Sequence, residues 1–591
     1  MAVPTSRLRL AANLPDGPPG TCAHYVPGAA LPPGWQRADV RAHCHRHQAE
    51  WTDALTRWHA ELMAAAEAAT PWAWLLPGSR LHVWQEPVRP LLFALGLLQH
   101  FREQPGGEVV AIGCPAEVGA YVRELSGGMV EVLGGDPSRD RRRVAFRRIR
   151  RRVIETVSML RRVRPAWRSR ASLTPVDLLV VTVGLSSTGL RQRGDHFFGR
   201  VLDRTAFRTH WLYQLRGAAD RLDIERAIGE SGRASSFDHR LVSWTDLLPI
   251  ARTAARIRRH MAAMAARVPD LHIDGTVSRL FPGRFFDDLF RHASAAPELV
   301  LHRVMARLVR ALAPRAVCYP YEEKGLERGL LMVCASAARP VTSIGFAHAA
   351  YNSGHLYLRA SPLGRSQPPR PSVIAAAGSG LGPWLAAECG RRDVVVTVGS
   401  PRWRGASDTP RVREADAPLR VLFLVGFPTE LLELAGWIDR CRDLFDQCDV
   451  TIRPNPQEWH QEQRAALSRL QRAASVTVGG HEPLDVEIAA ADVVLFCATS
   501  AVAEAIWGGR VAVSVELSDL WTTDPLHGGA KAAGVPECAT PDELKATLRS
   551  ISALDSAEYG RVVSVQRVAA GQVYAPFDAE GLGALVMGDK P

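Results

Sequence analysis

The most constraining feature of this sequence is a regular alternation, in its last third, of short apolar runs with longer segments of helical spacing. The runs are RVLFLVG at 420–426, DVTIR at 449–453, DVVLFC at 492–497 and VAVSV at 511–515. Strands buried on both faces of a parallel sheet are short apolar runs, and a helix crosses back between consecutive strands. The pattern therefore predicts a doubly wound α/β domain.

The middle of the chain repeats this alternation less cleanly. Apolar runs there predict strands at 81–84, 108–113, 129–133, 177–183, 316–319, 341–347, 372–376 and 394–398. Residues 404–418 are polar and charged, which is typical of a linker. The predicted fold class is α/β with two Rossmann-like, doubly wound lobes, at 71–403 and 419–591.

The first 70 residues have a weaker pattern. Pro and Gly are dense between residues 14 and 34, which predicts irregular structure. Residues 40–69 have helical spacing, with Trp51, Leu55 and Trp58 on one face. We therefore expect an irregular and helical N-terminal arm over residues 1–70.

Composition excludes several classes of protein. The 591 residues are 47% hydrophobic and 23% charged, as in ordinary globular chains and unlike disordered or fibrous ones. Apolar runs stay below the roughly 18 residues of a membrane span, and the first 30 residues lack the apolar core of a signal peptide. These features predict a cytoplasmic protein.

The cysteines and histidines give no metal-binding pattern. The ten cysteines form no CxxC pair, which excludes a zinc ribbon or a redox dithiol. The cluster His43, Cys44, His45 and His47 has no second ligand pair elsewhere in the chain. We therefore expect no metal site.

Positive charge is concentrated in one segment. The net charge is +11, and residues 139–170 alone contain fourteen Arg against two acids, Asp140 and Glu155. Within the basic region 139–165, the spacing over residues 141–163 predicts an amphipathic helix. Three interpretations stay open: contact with an anionic membrane, a solvated face whose Arg stems cover the core, and nucleic-acid binding.

In open α/β sheets, ligands bind beyond the carboxyl ends of the strands. In the second lobe, Thr499 and Ser500 occupy such a position at a predicted helix start, where backbone N–H groups favour an anion. One turn later, Glu504 can accept from a sugar or ribose hydroxyl. Arg453, next to Asn455 in a turn with two prolines, offers a fixed positive charge for phosphate. Ordinary capping and an ordinary strand–helix loop are the alternatives.

In the first lobe, Glu322 and Glu327 lie in an acidic segment after a predicted strand, and His348 and Tyr351 follow the next one. Carboxylates are costly when buried and useful in a cleft, and histidine is a base near neutral pH. A solvated helical turn and a structurally satisfied histidine are the alternatives. Neither GxGxxG nor GxxxxGK[ST] occurs in the expected context, which argues against a standard dinucleotide or P-loop site.

Two lobes, the Thr499–Ser500 turn followed by Glu504, and the strand end at Gly345–His348 together resemble a glycosyltransferase of the GT-B fold. Residues 321–330 with 344–348 are similar to bacterial surface carbohydrate biosynthesis proteins. Matches to that group are Glu322, Glu327 and His348, with Leu326 in place of an aromatic residue; Asp195 in an Asp-x-x-x-Gly element; Trp72 and Trp74 in a Trp-rich N-terminal element; and a G-x-P-R-like turn at 398–402.

The second lobe resembles capsule and polysialic-acid type transferases, in which a Lys-Pro-His-Pro-like turn meets the donor phosphates. This chain has Arg453-Pro454-Asn455-Pro456 there, so charge and prolines are kept and the histidine is absent. The resemblance implies donor binding through Arg453, Asn455, Thr499, Ser500 and Glu504.

The resemblance implies a metal-independent glycosyltransferase that moves a sugar from a nucleotide-sugar donor to an envelope glycan, with no other cofactor. Glu322 is the expected base, with His348 second, and Asp195, Glu327 and Tyr351 are expected to bind the acceptor. Glu327 as an internal helix partner of an arginine is equally open. The basic segment 141–163 would bring the enzyme to a lipid-linked acceptor at the inner face of the cell membrane.

Other functions stay open beside this one. The alternative enzymes are a nucleotide-sugar 2-epimerase and a CDP-glycerol-type glycerophosphotransferase. The alternative of another class is a non-catalytic scaffold that binds membrane or RNA on a degenerate transferase fold.

Overall fold

The structure is a computed structural model of the 591-residue chain. It describes residues 6–11, 21–24, 35–83, 85, 87–112, 114–133, 174–183, 187, 190–191, 194–195, 197–215, 221–238, 241–363, 368–401, 403, 405, 417–426, 430–431, 434, 437–438, 440–445, 447–454, 467–468, 470–471, 476–480, 482–517, 520–521, 524–526 and 534–588. The basic region 139–165, Asn455 and most of the expected linker lie outside the described residues.

The first sheet contains five parallel strands: β1 Ser6–Ala11, β2 Thr21–His24, β3 Gln36–Arg37, β4 Glu108–Ile112 and β5 Val130–Leu133. Their order is β3-β2-β4-β1-β5. The described helices of this part of the chain are α1 Val40–Arg46, α2 Gln48–Ala69, α3 Val88–Glu103 and α4 Ala116–Leu125.

The second sheet contains seven parallel strands: β6 Leu178–Val183, β7 Thr209–Gln214, β8 Ser235–Phe237, β11 Ala316–Pro320, β12 Thr342–Ala347, β13 Val373–Ala376 and β14 Val395–Thr397. Their order is β14-β13-β12-β11-β6-β7-β8. A separate antiparallel hairpin consists of β9 Leu271–Ile273 and β10 Thr276–Ser278. The described helices of this region are α5 Arg221–Glu230, α6 Trp244–Met264, α7 Leu280–Phe286, α8 Ala296–Leu312, α9 Gly325–Ala335 and α10 Leu381–Cys389.

The third sheet contains six parallel strands: β15 Leu419–Leu424, β16 Cys448–Arg453, β17 Val476–Val478, β18 Val493–Phe496, β19 Val511–Val515 and β20 Glu537–Cys538. Their order is β17-β16-β15-β18-β19-β20. The described helices here are α11 Arg442–Phe445, α12 Leu484–Ala490, α13 Ala501–Trp507, α14 Pro541–Ser552, α15 Ser556–Val573 and α16 Ala579–Met587.

The second and third sheets share the strand order of a doubly wound fold. In each, the chain runs outward over three strands, returns to the other side of the first, and continues outward. The order reverses between β6 and β11 in one lobe and between β15 and β18 in the other. Such switch points leave a crevice at the carboxyl ends of the two central strands. The predicted fold class, α/β with two Rossmann-like lobes, is therefore confirmed.

The central strands are apolar because helices cover the sheets on both sides. Five of the six residues of β15 are buried, as are all four of β18. The two sides of the third sheet pack into separate apolar clusters, one containing Phe423 and the other Phe496. Burial of this apolar surface is the main force that holds the lobe together.

The C-terminal segment returns from the second lobe to the first. After α15, the backbone N–H groups of Ala575 and Asp578 donate to the carbonyls of Ala377 and Val398. Helix α16 then packs its Leu582 and Leu585 into the apolar cluster of the seven-stranded sheet. The two lobes are therefore joined by this crossing as well as by the segment between β14 and β15.

Two expectations about secondary structure need correction. The stretch predicted to be irregular before residue 40 contributes β1 and β2, which pair with β4. The predicted strands at 108–113 and 129–133 accordingly belong to this first sheet. Residues 81–83 are not a strand; Leu81 and Val83 are instead buried in the large N-terminal core. The helix predicted over 40–69 is confirmed as α1 and α2.

Candidate functional site

Both switch points carry residues that the sequence singled out. Glu322 lies just beyond the carboxyl end of β11, and Ser500 lies just beyond that of β18. His348 immediately follows β12, next to β11 in the sheet. These three residues are connected across the lobes by side chains and one backbone carbonyl.

The first contact is between Glu322 and His348. Nε2 of His348 lies 3.8 Å from Oε1 of Glu322, and the side chains are 12% and 26% exposed, respectively. The ammonium of Lys324 pairs with Oε2 of the same carboxylate. The ring of Phe197 packs edge-on against the imidazole, with centroids 4.5 Å apart. A carboxylate, an imidazole and an ammonium group thus meet at a partly open position, as proton transfer requires.

The loop that carries Glu322 is held at several points. The amide N–H of Glu322 donates to Oε2 of Glu327 at 2.8 Å, and that of Tyr321 donates to the Phe346 carbonyl at 2.8 Å. The hydroxyl of Tyr351 donates to the Tyr321 carbonyl. Glu323 has a φ of +53°, a left-handed conformation that is uncommon for a residue with a side chain. The backbone next to Glu322 is therefore strained and tightly fixed.

A buried ionic network holds Glu323 in this conformation. Its Oε1 accepts from Nη1 of Arg391 at 2.6 Å and from the Tyr321 hydroxyl at 2.5 Å, and Arg328 lies 3.4 Å from Oε2. Arg391 also pairs with Asp393 at 2.7 Å. Burial opposes ionisation, but the charges of Arg391 and Arg328 prevail and lower the pKa of Glu323.

Sequence reasoning missed this network. Arg391 lies 68 residues from Glu323, beyond two further strands, so no local motif connects them. The one signal in the sequence was the acidic cluster itself, which is costly to bury without partners. That signal indicates that counter-charges must exist and does not say where they lie.

Asp195 organises the loop after β6. It is 2% exposed; its Oδ1 accepts from the N–H groups of Phe197 at 2.9 Å and Phe198 at 3.0 Å, and its Oδ2 accepts from the Thr182 hydroxyl at 2.9 Å. Burial raises the pKa of this carboxyl, against these hydrogen bonds. Through this loop, Asp195 holds the Phe197 ring against His348.

Glu327 and Tyr351, like Asp195 predicted to bind the acceptor, are each 3% exposed. The Glu327 carboxylate accepts from the Glu322 N–H, and the Tyr351 hydroxyl donates to the Tyr321 carbonyl, so both side chains make internal hydrogen bonds. Burial raises the pKa of Glu327 to about 8, although Lys324 and Arg80 favour its ionised form. The structure thus places all three residues beneath the site. Their role in acceptor binding stays a prediction.

Ser500 and Thr499 lie at the start of α13. The Ser500 side chain does not cap this helix; its hydroxyl accepts from the Tyr574 hydroxyl at 3.0 Å. The Thr499 hydroxyl accepts from the Ala501 N–H at 3.3 Å. Glu504 lies in the first turn of α13. Thr499 and Ser500 are both partly exposed residues.

Tyr574 connects the two halves of the site. It is fully buried, and its hydroxyl lies 3.3 Å from the His348 carbonyl in addition to 3.0 Å from Ser500 Oγ. It follows α15, where the chain begins to cross back to the first lobe. It was missed because it lies 226 residues from His348 and 74 from Ser500.

Arg453 is engaged within its own lobe. Its Nη1 lies 2.6 Å from Oε2 of Glu487 and donates to the Glu482 carbonyl at 2.9 Å. Oε1 of Glu487 accepts from the Gly480 N–H at 2.5 Å. Arg453 therefore braces the loop after β17. The structure does not bring Arg453 into contact with Thr499 or Ser500. Phosphate binding by Arg453 stays a prediction.

The histidine cluster of α1 is divided among different partners. Nδ1 of His43 lies 3.4 Å from Glu103, and Nδ1 of His45 lies 3.1 Å from Glu516. His47 comes within 4.8 Å of Glu50 and Asp274, a spacing that suits a metal ion. The Asp274 carboxylate is, however, already bound by Gln99 at 2.8 Å and by Arg102.

No protein-family model matches the chain, and no curated protein matches it. In the described part of the chain, no helix is long and apolar enough to cross a membrane.

Solved structures that a structural comparison matches to this chain include nucleotide-sugar enzymes. The UDP-GlcNAc 2-epimerase from Neisseria meningitidis, bound to UDP-GlcNAc, has 10% identity and a TM-score of 0.39 over 70% of this chain and 99% of its own. MurG from Acinetobacter baumannii has 14% identity and a TM-score of 0.35 over 70% and 99%. The glycosyltransferase VinC in complex with dTDP has 14% identity and a TM-score of 0.35, over 69% of this chain and 98% of its own. At these identities and TM-scores, the similarity assigns neither a family nor an activity to this chain.

Proposed function

We propose that the protein is a glycosyltransferase that moves a sugar from a nucleotide-sugar donor to a cell-surface polysaccharide acceptor. The observation that carries this proposal is the connected set Glu322, His348, Tyr574 and Ser500, which links the switch points of both lobes. A group-transfer enzyme needs such an arrangement because its two substrates must meet in one geometry.

In the proposed reaction, Glu322 takes the proton from an acceptor hydroxyl. That oxygen forms a bond to the anomeric carbon of the donor sugar, while the bond from this carbon to the phosphate oxygen breaks and the nucleotide leaves. His348 and Lys324 lie next to Glu322. Proton transfer by a positioned carboxylate typically contributes about 10²–10⁴-fold to the rate.

The nucleotide is proposed to bind at the second lobe. The hydroxyls of Thr499 and Ser500 can donate to the phosphates, and Glu504 can accept from a ribose or sugar hydroxyl. Because Arg453 is paired with Glu487, we assign it first to holding the adjacent loop. No cofactor beyond the nucleotide-sugar itself is proposed.

The acceptor is proposed to be a glycan or a lipid-linked glycan on the first-lobe side, above the aromatic edge of Phe197. The expected location is the inner face of the cell membrane. The basic segment 141–163, which would contribute to membrane contact, lies outside the described residues.

The test is a transfer assay with UDP-, GDP-, CDP- and CMP-sugars and surface-glycan oligosaccharides, which follows nucleotide release and the mass of the glycan. We expect release to depend on the acceptor, and Glu322→Gln to reduce it by about 10² or more. Glu388→Gln, at an exposed glutamate of α10, is the matched control and should leave the rate unchanged.

Other results would identify the alternatives. Conversion of the nucleotide-sugar to its epimer without nucleotide release indicates a 2-epimerase. Turnover of CDP-glycerol alone indicates a glycerophosphotransferase. If no donor gives nucleotide release or epimer conversion, the enzymatic proposal is contradicted and the scaffold is favoured.

A further inference from the structure

Helix α6 exposes two large apolar side chains on its outer face. Trp244 is 52% exposed and Leu248 is 56% exposed. On the opposite face, Ile250, Ile257 and Met261 are at most 2% exposed. Since the inner face already supplies the packing of the helix, the core does not require Trp244 and Leu248.

The same outer face is cationic. Arg252, Arg256, Arg258 and Arg259 are all exposed, and none of them forms an ion pair with a residue in the described ranges. The one acid of the helix, Asp246, has an 8% exposed side chain that pairs inward with Arg307 at 2.6 Å. The outer face therefore combines net positive charge with two apolar side chains.

Helical geometry aligns these residues. At 3.6 residues per turn, Trp244, Leu248, Arg252 and Arg259 point within about 80° of one another. With a rise of about 1.5 Å per residue, the stripe is roughly 22 Å long. Apolar side chains occupy its N-terminal end and guanidinium groups the rest.

The start of the helix is fixed, so the apolar end of the stripe is held outward. Asp246 completes a capping box with Ser243, whose N–H donates to Oδ2 of Asp246 at 2.9 Å. The ion pair to Arg307 attaches this turn to α8. The exposure of Trp244 thus belongs to an anchored turn.

We propose that the outer face of α6 docks on a membrane surface rich in anionic lipid. Trp and Leu side chains gain free energy by entering the boundary between headgroups and acyl chains, and arginines are attracted to lipid phosphates. A nucleic acid would satisfy the arginines and leave Leu248 in water, so charge and apolar exposure together favour the lipid surface.

This inference does not depend on the proposed transfer reaction. It also concerns a different element from the basic segment 139–165. It is tested without any substrate, so failure of the proposed function and failure of the docking surface are distinguishable.

The test is co-sedimentation of the full chain with phosphatidylcholine vesicles, with and without phosphatidylglycerol. We expect binding only to the anionic vesicles and weaker binding at higher salt. Because each arginine near the surface contributes about 1 kcal/mol, the double variant Arg252→Glu with Arg259→Glu should weaken binding at least about tenfold. Trp244→Ser with Leu248→Ser should also weaken it at least about tenfold.

Matched controls lie on other helices. Val565 and Val568 of α15 are 55% and 71% exposed, and replacing both by Ser should leave vesicle binding unchanged. Arg549→Glu with Arg561→Glu, at exposed sites, controls for total charge. Circular dichroism and thermal melting confirm that each variant is folded, and either α6 variant alone suffices for the test.

Three results would overturn the proposal. The first is no binding of the wild type to anionic vesicles. The second is wild-type binding by both α6 variants, which would assign the contact to another segment. The third is loss of RNA oligonucleotide binding on charge reversal together with unchanged vesicle binding of the Trp244/Leu248 variant, which would identify a nucleic-acid surface.

Discussion

The Tyr574 hydroxyl donates a hydrogen bond to Oγ of Ser500 at 3.0 Å. The same hydroxyl lies 3.3 Å from the carbonyl of His348, which belongs to the other lobe. One buried side chain therefore couples the proposed donor side of the site to its proposed acceptor side. This contact determines how Ser500 is oriented toward the first lobe.

Removing this hydroxyl should impair donor binding more than it impairs folding. For Tyr574→Phe we expect a loss of about 1 kcal/mol in the free energy of unfolding, and a rise in KM for the nucleotide-sugar that exceeds the fall in kcat. Steady-state kinetics and urea unfolding measure these quantities. Tyr559→Phe is the control, because its hydroxyl bonds to Asp492 and Val511 within one lobe. An equal change in KM for both variants would contradict this role.

The negative charge of Glu323 should contribute far more to the free energy of unfolding than the charge of an exposed acid. In Glu323→Gln, Arg391 and Arg328 lose a buried partner, and breaking a buried ion pair typically costs about 3–5 kcal/mol. We expect a loss toward the lower end, because Asp393 still pairs with Arg391. Urea unfolding measures it.

The comparison is Glu131→Gln. Glu131 forms an ion pair with Arg7, and the two side chains are 49% and 58% exposed, respectively. An exposed pair contributes about 1 kcal/mol or less. Equal losses for the Glu323 and Glu131 variants would show that the buried network does not hold the Glu322 loop.

Stability should fall as pH rises through the range where the Glu327 carboxyl is protonated in the folded chain and ionised in the unfolded chain. Its pKa is raised from 4.5 to about 8 by burial, against Lys324 and Arg80. Below the unfolded value the carboxyl is protonated in both states and its contribution is fully present. Between the two values only the unfolded chain releases the proton, so this contribution is lost at up to about 1.4 kcal/mol per pH unit.

Glu327→Gln keeps an oxygen for the Glu322 N–H and cannot ionise. Its melting temperature should therefore fall less than that of the wild type between about pH 5 and pH 8. Thermal melts of both proteins across this range provide the measurement. Parallel curves would mean that Glu327 does not take up a proton on folding.

Gly399 should tolerate no side chain. Its φ is +74°, and a Cβ there would lie 1.8 Å from the carbonyl oxygen of Pro576 in the crossing segment. Gly232 has a similar φ of +71° with nothing within 4 Å, so it isolates the conformational effect from the clash. We expect Gly232→Ala to cost about 1–2 kcal/mol, and Gly399→Ala to cost several kcal/mol more in thermal or urea unfolding. Similar losses would contradict close packing of the crossing segment.

The second and third sheets could be predicted from sequence because their central strands are apolar on both faces. The run at 420–426 and the observed β15 differ only at their ends. In contrast, β1 alternates arginines with buried residues such as Leu8, and it pairs with β4 about a hundred residues away. Such an alternating six-residue strand before a Pro- and Gly-rich stretch has too weak a local signal to be found.

The candidate site could likewise be predicted only in part from the sequence. Glu322, His348 and Ser500 were found because each follows a strand, and strand ends meet at the switch points of the sheets. Tyr574 and Arg391 come from distant elements, so their positions depend on tertiary packing. The internal positions of Glu327 and Tyr351 likewise depend on packing that the motif does not encode.

The central claim is that Ser500 belongs to a nucleotide-binding site in the cleft between the lobes. The most direct measurement is a thermal-shift panel of CMP, CDP, UDP, GDP and their sugar conjugates on wild type and Ser500→Ala, with Ser564→Ala on α15 as the control. A ligand of the folded state raises its melting temperature by mass action. The account predicts that one nucleotide stabilises the wild type and Ser564→Ala, and stabilises Ser500→Ala much less. The absence of any shift at millimolar concentration, or equal shifts in all three proteins, would contradict it.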